Sequence, residues 1–489
     1  MPLNLPHTRR RTPHQVTFAI LAVSAGSFAL LQSMTVPVLP HIEKELGTDQ
    51  ATAAWVLTAY LLSASVFTPI VGRLGDAFGK NRLLVVSLGF LTLGSLIGAL
   101  APSIGVLVAG RVVMGVGGGV VPLAFGIIRD ELPPHRVAGG AGFISSLMAV
   151  GFGAGIVVAG PIVDHLGYHW LFWIPFAVTG AAAIVAAVLV PPSPVRTPAR
   201  LPLAPAALLA GWLVALLLGI SQGPRSGWTS WQVIALIAAG IALLAAWLVA
   251  ERRGRVPLID LTMMRQRGVW TSNLVVLTVG GAMYSVFAFL PQFLQTPAST
   301  GYGFGLDTTG SGLLILPHAV ASFVCGLSTG WLVRRLGAKT VVFCGCLLAG
   351  SGVQSLVLWH GTHLQLAAAN VAIGLGMGAV FASIVTVVLA SVPPEQSGVA
   401  TGMNTNIRSI GGAIGAAAMT TIVTSSAGPD GLPQESGYVH GFMMVVALMA
   451  ISAATTLLLP SASRTESAGR AGPRSIRTTS PPGRPVSAA

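Results

Sequence analysis

Runs of apolar residues, separated by short polar or charged connections, recur along this chain from one end to the other. Many approach or exceed the roughly 20 residues that an α-helix needs to cross a bilayer. They predict fourteen spans, at 16–39, 51–71, 83–101, 104–128, 138–163, 170–190, 204–220, 231–250, 269–293, 310–333, 340–358, 364–391, 398–424 and 441–460. The span at 204–220 is the shortest. The first apolar stretch, about 24 residues, is too long for a cleaved signal peptide and reads as a retained span. The tail 461–489 is rich in Ser, Pro, Gly and Arg with almost no large apolar residue, so disorder is expected there. The pattern therefore predicts an all-α membrane protein.

Composition agrees. Of 489 residues, 53% are hydrophobic and only 8% charged, a surface that lipid can solvate and water cannot. The formal net charge of +13 would suit nucleic acid if it were clustered on one soluble face. Its distribution points elsewhere. With the N-terminus inside, 23 of the 27 Lys and Arg fall on the cytoplasmic side; Lys44 and Arg225 fall outside, and Arg111 and Arg408 lie within spans. That asymmetry is the positive-inside rule. It predicts a plasma-membrane protein with both termini cytoplasmic, and no nucleic-acid partner. The three cysteines, Cys325, Cys344 and Cys346, lie in spans and read as small packing residues.

The chain repeats itself. Gly72-Arg73-Leu74-Gly75-Asp76-Ala77-Phe78-Gly79-Lys80-Asn81-Arg82 has a degraded copy 258 residues later, Gly330-Trp331-Leu332-Val333-Arg334-Arg335-Leu336-Gly337-Ala338-Lys339. Arg334 stands where Asp76 stands in the first copy. Arg111-x-x-x-Gly115-x-Gly117 answers to Asn370-x-x-x-Gly374-x-Gly376, and Pro133-Pro134, Gly142, Gly151 and Gly155 answer to Pro393-Pro394, Gly402, Gly411 and Gly415. Parallel halves require an even number of spans between them. The expected organisation is a cytoplasmic segment 1–15, a six-span half 16–190, a linker with two extra spans 191–267, a second six-span half 268–460 and the tail.

Chemistry-bearing groups are few. No G-x-x-x-x-G-K-[ST] phosphate loop occurs, so ATP is not expected to drive this chain. His360-Gly361-Thr362-His363 has ligand-like spacing without a Cys or acid nearby in sequence, so neither metal nor other cofactor is expected. No constellation suggests an enzyme. Charged or amide side chains inside spans are functional candidates by default: Arg111 in span 4, and Asn404, Asn406 and Arg408 in span 13. Asn404 and Arg408 are four apart and share a helix face. Gln32 and Gln292 lie in spans 1 and 9. His318, in span 10, titrates near physiological pH, and Pro317 before it frees a backbone carbonyl one turn earlier to hold a ring N–H.

The 72–82 loop, the repeat and span 13 (Gly402-Met403-Asn404-Thr405-Asn406-Ile407-Arg408) together resemble the major facilitator superfamily, and within it the fourteen-span drug:proton antiporters, over residues 16–460. The resemblance implies two parallel six-span halves plus two inserted spans around a central cargo site. It implies that Asp76, in a loop shaped by Gly72 and Gly79 and flanked by Lys80 and Arg82, locks the halves in the outward-facing state. It links Arg111 to proton transfer. Gly151-x-x-x-Gly155 and Gly160 of span 5 are similar to the antiporter signature and suit close helix packing, although Ile156 stands where that signature has proline. Span 1 carries Leu31 where exporters of cationic drugs carry an acid, and none of the 14 acids sits mid-span.

The expected function is thus proton-coupled export of a lipophilic neutral or anionic small molecule, a drug or antibiotic. Gln32, Gln292, Asn404, Asn406 and Arg408 are the expected cargo contacts. Arg111, His318 and Asp164, at the outer end of span 5, are the expected coupling groups. The protein is expected to act as a monomer whose partners are its cargo, protons and the lipid bilayer. An importer or metabolite carrier of the same fold is the alternative. A membrane receptor or sensor would need a folded soluble domain, and no loop or tail is long or apolar enough to supply one.

Overall fold

The computed structural model describes residues 14–48, 50–53, 55–190, 202–254, 258–426 and 433–460. The segment 1–13, residues 191–201 of the linker and the tail 461–489 lie outside the described residues. Among the described residues, fourteen helices are long and apolar enough to cross a membrane. They are α1 (His14–Ser33), α2 (Trp55–Phe78), α3 (Lys80–Ala99), α4 (Ile104–Glu131), α5 (Pro134–Leu166), α6 (Trp170–Leu189) and α7 (Leu203–Ser226). The rest are α8 (Trp231–Arg253), α9 (Arg267–Gln295), α10 (Thr308–Leu336), α11 (Ala338–Leu358), α12 (His363–Ser391), α13 (Ser397–Thr424) and α14 (Glu435–Thr456).

Helix ends depart from the apolar runs for identifiable reasons. The first run continues to residue 39, but α1 stops at Ser33. Pro37 offers no N–H to a helix, and the chain passes through a 3₁₀ turn, Val36–Val38, into the short helix Leu39–Glu45. α4 relaxes into a 3₁₀ turn at Gly117–Gly119. α7 is longer than expected, 24 residues, because Trp228 closes over its last turn: a Cβ at Gly223 would meet the indole at 2.7 Å.

The largest correction concerns the 72–82 loop. Most of it is helix. α2 runs through Asp76 to Phe78, α3 starts at Lys80, and Gly79 alone turns the chain, with φ at 107°. Gly337, with φ at 79°, does the same between α10 and α11. Glycine is a poor helix former, so packing must hold the extension of α2 in place. It does: a Cβ at Gly72 would meet the Gly398 carbonyl oxygen at 2.6 Å, and one at Gly75 would strike Leu123.

Two apolar clusters mark the two halves. One gathers buried side chains of α1–α6, such as Leu21, Leu84, Leu88 and Phe172. The other gathers those of α9–α14, such as Val279, Val342 and Ile373, together with Leu209, Trp212 and Leu213 of α7. α8 leans on α7 and scarcely touches anything else. Its last turn is nonetheless fixed, because the Glu251 carboxylate accepts the Leu258 and Ile259 N–H groups at 2.9 and 3.3 Å, just ahead of α9.

The halves meet along two seams, α2 on α13 and α5 on α10, each related to the other by the internal repeat. Both seams bring backbone against backbone. Besides Gly72 on Gly398, a Cβ at Gly142 would meet the Gly326 carbonyl oxygen at 2.7 Å. Gly151 and Gly155 serve a different contact, within the first half. They press α5 onto α1, where a Cβ at 151 would meet the Gly26 oxygen at 2.5 Å and one at 155 would strike Ser33. Gly160 is buried on the same helix.

Candidate functional site

Between the halves lies a cavity of about 100 Å³ walled by α1, α4, α5, α9, α10, α12 and α13. Its apolar wall is aromatic and thioether-rich, including Phe125, Phe152, Phe287, Phe381, Met148 and Met283. Its polar groups are few and specific. Gln32 Nε2 donates to the Tyr284 hydroxyl at 3.2 Å, a contact between α1 of one half and α9 of the other. Asn404 Nδ2 donates to Asn273 Oδ1 at 2.9 Å, which fixes the amide on α13 against α9. Arg408 places its guanidinium 5.2 Å from the centre of the Phe381 ring, and its Nε has no hydrogen-bond partner among the described residues. No carboxylate lines the cavity among the described residues. Arg408, the one Lys or Arg among the described lining residues, is therefore uncompensated and held by a ring face.

His318 lines the same cavity from α10, its ring edge-on to Phe287 at 5.0 Å. The carbonyl freed by Pro317 does not hold it: no hydrogen bond joins the His318 ring to another described residue. Such a ring is free to meet a solute.

Gln32, His318, Asn404 and Arg408 thus converge on one space. The other expected groups do not. Arg111 is 1% exposed and turned into the first half: its Nε donates to the Val56 carbonyl at 3.0 Å and its guanidinium lies 4.7 Å from the Tyr60 ring centre. Arg111 therefore does not line the cavity. The glycines around it bring α4 so near α2 that a backbone acceptor is within reach. Gln292 is exposed on the outer surface of α9. It follows Tyr284 by eight positions, about 80° around the helix and two turns further along. Asn406 is buried, yet both its amide atoms lack partners among the described residues, and it does not line the cavity. Two positions from Asn404 means roughly 200° of rotation, so the two amides cannot share a wall. The Asp164 side chain lies outside the described residues.

At the arginine-rich end the halves are tied by charge. The buried Asp76 carboxylate accepts the Gly398 and Val399 N–H groups at 3.3 and 3.1 Å. These are the first amides of α13, which have no carbonyl of their own helix to bond and carry the positive end of its dipole. Behind Asp76, Lys80 Nζ lies 3.7 Å from its Oδ1 and donates to both oxygens of Asp130 at 3.0 and 2.8 Å. Arg129 adds a second tie, reaching the Val392 and Pro393 carbonyls at 2.5 and 3.4 Å. Arg82 is exposed and outside this cluster.

In the repeat the arrangement is lost twice. Arg334 is exposed. α5 begins earlier, at Pro134, so the amides of Ala138 and Gly139, matching Gly398 and Val399, are consumed by their own helix. Asp130, Arg129, Tyr284 and Asn273 are the residues that sequence reading missed. The Arg129-Asp130-Glu131 triplet ending span 4 was the visible signal for the first two.

Two repeated halves around a central cavity are the architecture of a solute carrier. The chain belongs to the major facilitator superfamily, whose family model matches residues 21–222, 197–416 and 296–486. Its relatives are carriers of the drug-efflux type, and this chain is a transporter of that type. The cephamycin export protein CmcT of Amycolatopsis lactamdurans is 30% identical over 474 residues, covering 94% of this chain and 95% of that protein. The multidrug resistance protein Stp of Mycobacterium tuberculosis is 29% identical over 416 residues (83% and 75%). The tetracenomycin C resistance and export protein of Streptomyces glaucescens is 26% identical over 427 residues (84% and 76%). The human organic anion transporter MFSD10 shares the fold with a TM-score of 0.67 at 15% identity, over 91% of this chain and 99% of its own.

Proposed function

We propose that this carrier exports an uncharged or anionic lipophilic molecule from the cytoplasm in exchange for protons. The observation that carries the reading is the central cavity, where Arg408 is the lone charge and no carboxylate stands among the described lining residues. Such a site repels cations and attracts carboxylates, sulfonates or the partial negative charge of carbonyls. The aromatic and methionine wall suits varied apolar bodies. The arginine-rich end is cytoplasmic on this reading, and the Asp76 cluster then closes the carrier towards the cytoplasm. Both termini lie on that side of the plasma membrane, and a monomer contains the whole path.

Proton movement supplies the work. One proton crossing ~100 mV yields about 2.3 kcal/mol, a roughly fifty-fold cargo gradient. With no acid in the cavity wall among the described residues, His318 is the coupling group we favour. Its ring meets the cavity and has no internal hydrogen bond to lose. The test is accumulation of a cephamycin and of tetracenomycin C, the compounds in the relatives' names, in cells stripped of their own pumps. Export that stops on adding an uncoupler supports the reading. Accumulation that this chain raises, or leaves unchanged for every uncharged and anionic compound tried, refutes it.

A further inference from the structure

A second space lies beside the central cavity, between α2, α7 and α13, with a volume of about 300 Å³. That reaches the lower end of the range for small-molecule sites, ~300–1,000 Å³. Nothing charged lines it among the described residues. We infer that it is a second ligand chamber, built for uncharged lipophilic molecules bearing hydroxyl or carbonyl groups, and that Tyr284 is the partition between it and the central cavity.

Tyr284 is the residue common to both walls. One side of its ring presses on Gly412, where a Cβ would meet ring Cδ2 at 2.4 Å, so only a glycine there lets the ring close the gap. Its hydroxyl is steadied by Gln32, which belongs to the opposite half. When the halves move apart at α1 and α9, that hydrogen bond is lost and the ring is free to turn. The two spaces then become one path.

The chamber's polar groups set its ligand chemistry. Ser409 and Thr420 spend their hydroxyl hydrogens on the Thr405 and Ala416 carbonyls of their own helix, at 3.2 and 2.8 Å. Their oxygens remain acceptors, suited to a ligand hydroxyl. Tyr284 accepts from Gln32, and its own hydrogen has no acceptor among the described residues, so it can donate to a ligand carbonyl. α7, the first helix of the inserted pair, forms the outer wall through Leu217 and Ser221. The loop after α7 is pinned to α13 by Trp228 Nε1 donating to Thr421 Oγ1 at 3.0 Å. Without α7 this space would be an open groove facing lipid.

The chamber's place on the cargo path rests on the export reading; its capacity to hold a ligand does not. The experiment is photolysis of the full-length protein in lipid nanodiscs with 4-(hydroxymethyl)benzophenone, followed by peptide mapping. Adducts are expected on 58–65 of α2 and 409–420 of α13. Ala413→Trp should cut those adducts about ten-fold while leaving adducts around Phe381 unchanged. Ala417→Leu serves if the tryptophan variant fails to fold. The carboxylate analogue 4-benzoylbenzoate should instead mark the central cavity, and lose that labelling in Arg408→Ala. Absence of adducts in both segments, or adducts indifferent to both filling variants, overturns the proposal. So does labelling of the segments by a benzophenone-tagged phosphatidylcholine that excludes the free probe, which would make the space a lipid slot. None of these readouts needs a proton gradient, so failed export beside intact labelling would sink the export reading alone.

Discussion

Replacing Asp76 with asparagine isolates the tie between the halves. The carboxylate accepts two backbone N–H groups from α13, at 3.3 and 3.1 Å, and hydrogen bonds to a charged acceptor contribute about 1.5–3 kcal/mol each. The amide keeps one acceptor oxygen, turns an NH₂ group towards a second donor, and no longer opposes the positive end of the helix. A net loss of about 2–3 kcal/mol follows, a shift of roughly 30- to 150-fold towards the form open at the arginine-rich end. Folding should survive, because Lys80 keeps its closer partner Asp130 at 2.8 Å and no buried cation is orphaned. The assay uses Thr405→Cys in the cavity wall, in a background with Cys325, Cys344 and Cys346 changed to alanine, and an impermeant maleimide applied from either face. Asp76→Asn should speed labelling from the arginine-rich end by at least ten-fold, abolish transport and leave the membrane level unchanged. Arg334→Asn should change little. Equal effects at the two positions, or an unaltered labelling rate in Asp76→Asn, would refute the asymmetric tie.

Further outcomes follow from the same contacts. Lys80→Met leaves two buried carboxylates without their cation, so thermal unfolding should show a loss of about 3–5 kcal/mol and low membrane yield. Arg408→Ala should weaken binding of an anionic probe about ten-fold and a neutral one hardly at all, as read by fluorescence titration; equal losses would place Arg408 in packing alone. Gly155→Leu forces α5 off α1 at Ser33 and should lower the melting temperature sharply, whereas an unchanged melting curve would contradict the close contact. His318→Gln should bind cargo normally yet lose the dependence of export on the pH gradient; full gradient-driven export by this variant would make His318 a packed residue only.

The helices were legible because hydrophobic length is a local property, and so was the repeat, whose landmarks keep nearly one offset. Helix ends were less so. Pro37 stops α1 inside an apolar run, whereas α2 continues past Gly72 because Gly398, 326 positions later, packs on it. Charged and amide residues within spans were easy to find but their facing was not. Arg111 and Arg408 look alike in sequence, and only the rotation and neighbours of their helices send one to Val56 and the other to the cavity. Asn406 could have been set apart from Asn404 by helical phase alone. Nothing local marks Tyr284, because its significance lies in Gln32 from the other half.

The seams where Gly72 meets Gly398 and Gly142 meets Gly326 have a mechanical consequence. Helices that interlock through side-chain ridges must unmesh before one can travel over the other. Here carbonyl oxygens and α-carbons face each other with little protruding between them. The two halves therefore meet like polished bearing surfaces, on which a small rolling displacement breaks few contacts and meets no tooth. Resistance to motion is concentrated instead at discrete catches, Asp76, Arg129 and Gln32, each of which bonds across the halves. A carrier built this way separates its speed from its timing: smooth glycine faces govern how fast it swings, and a handful of polar catches decide when.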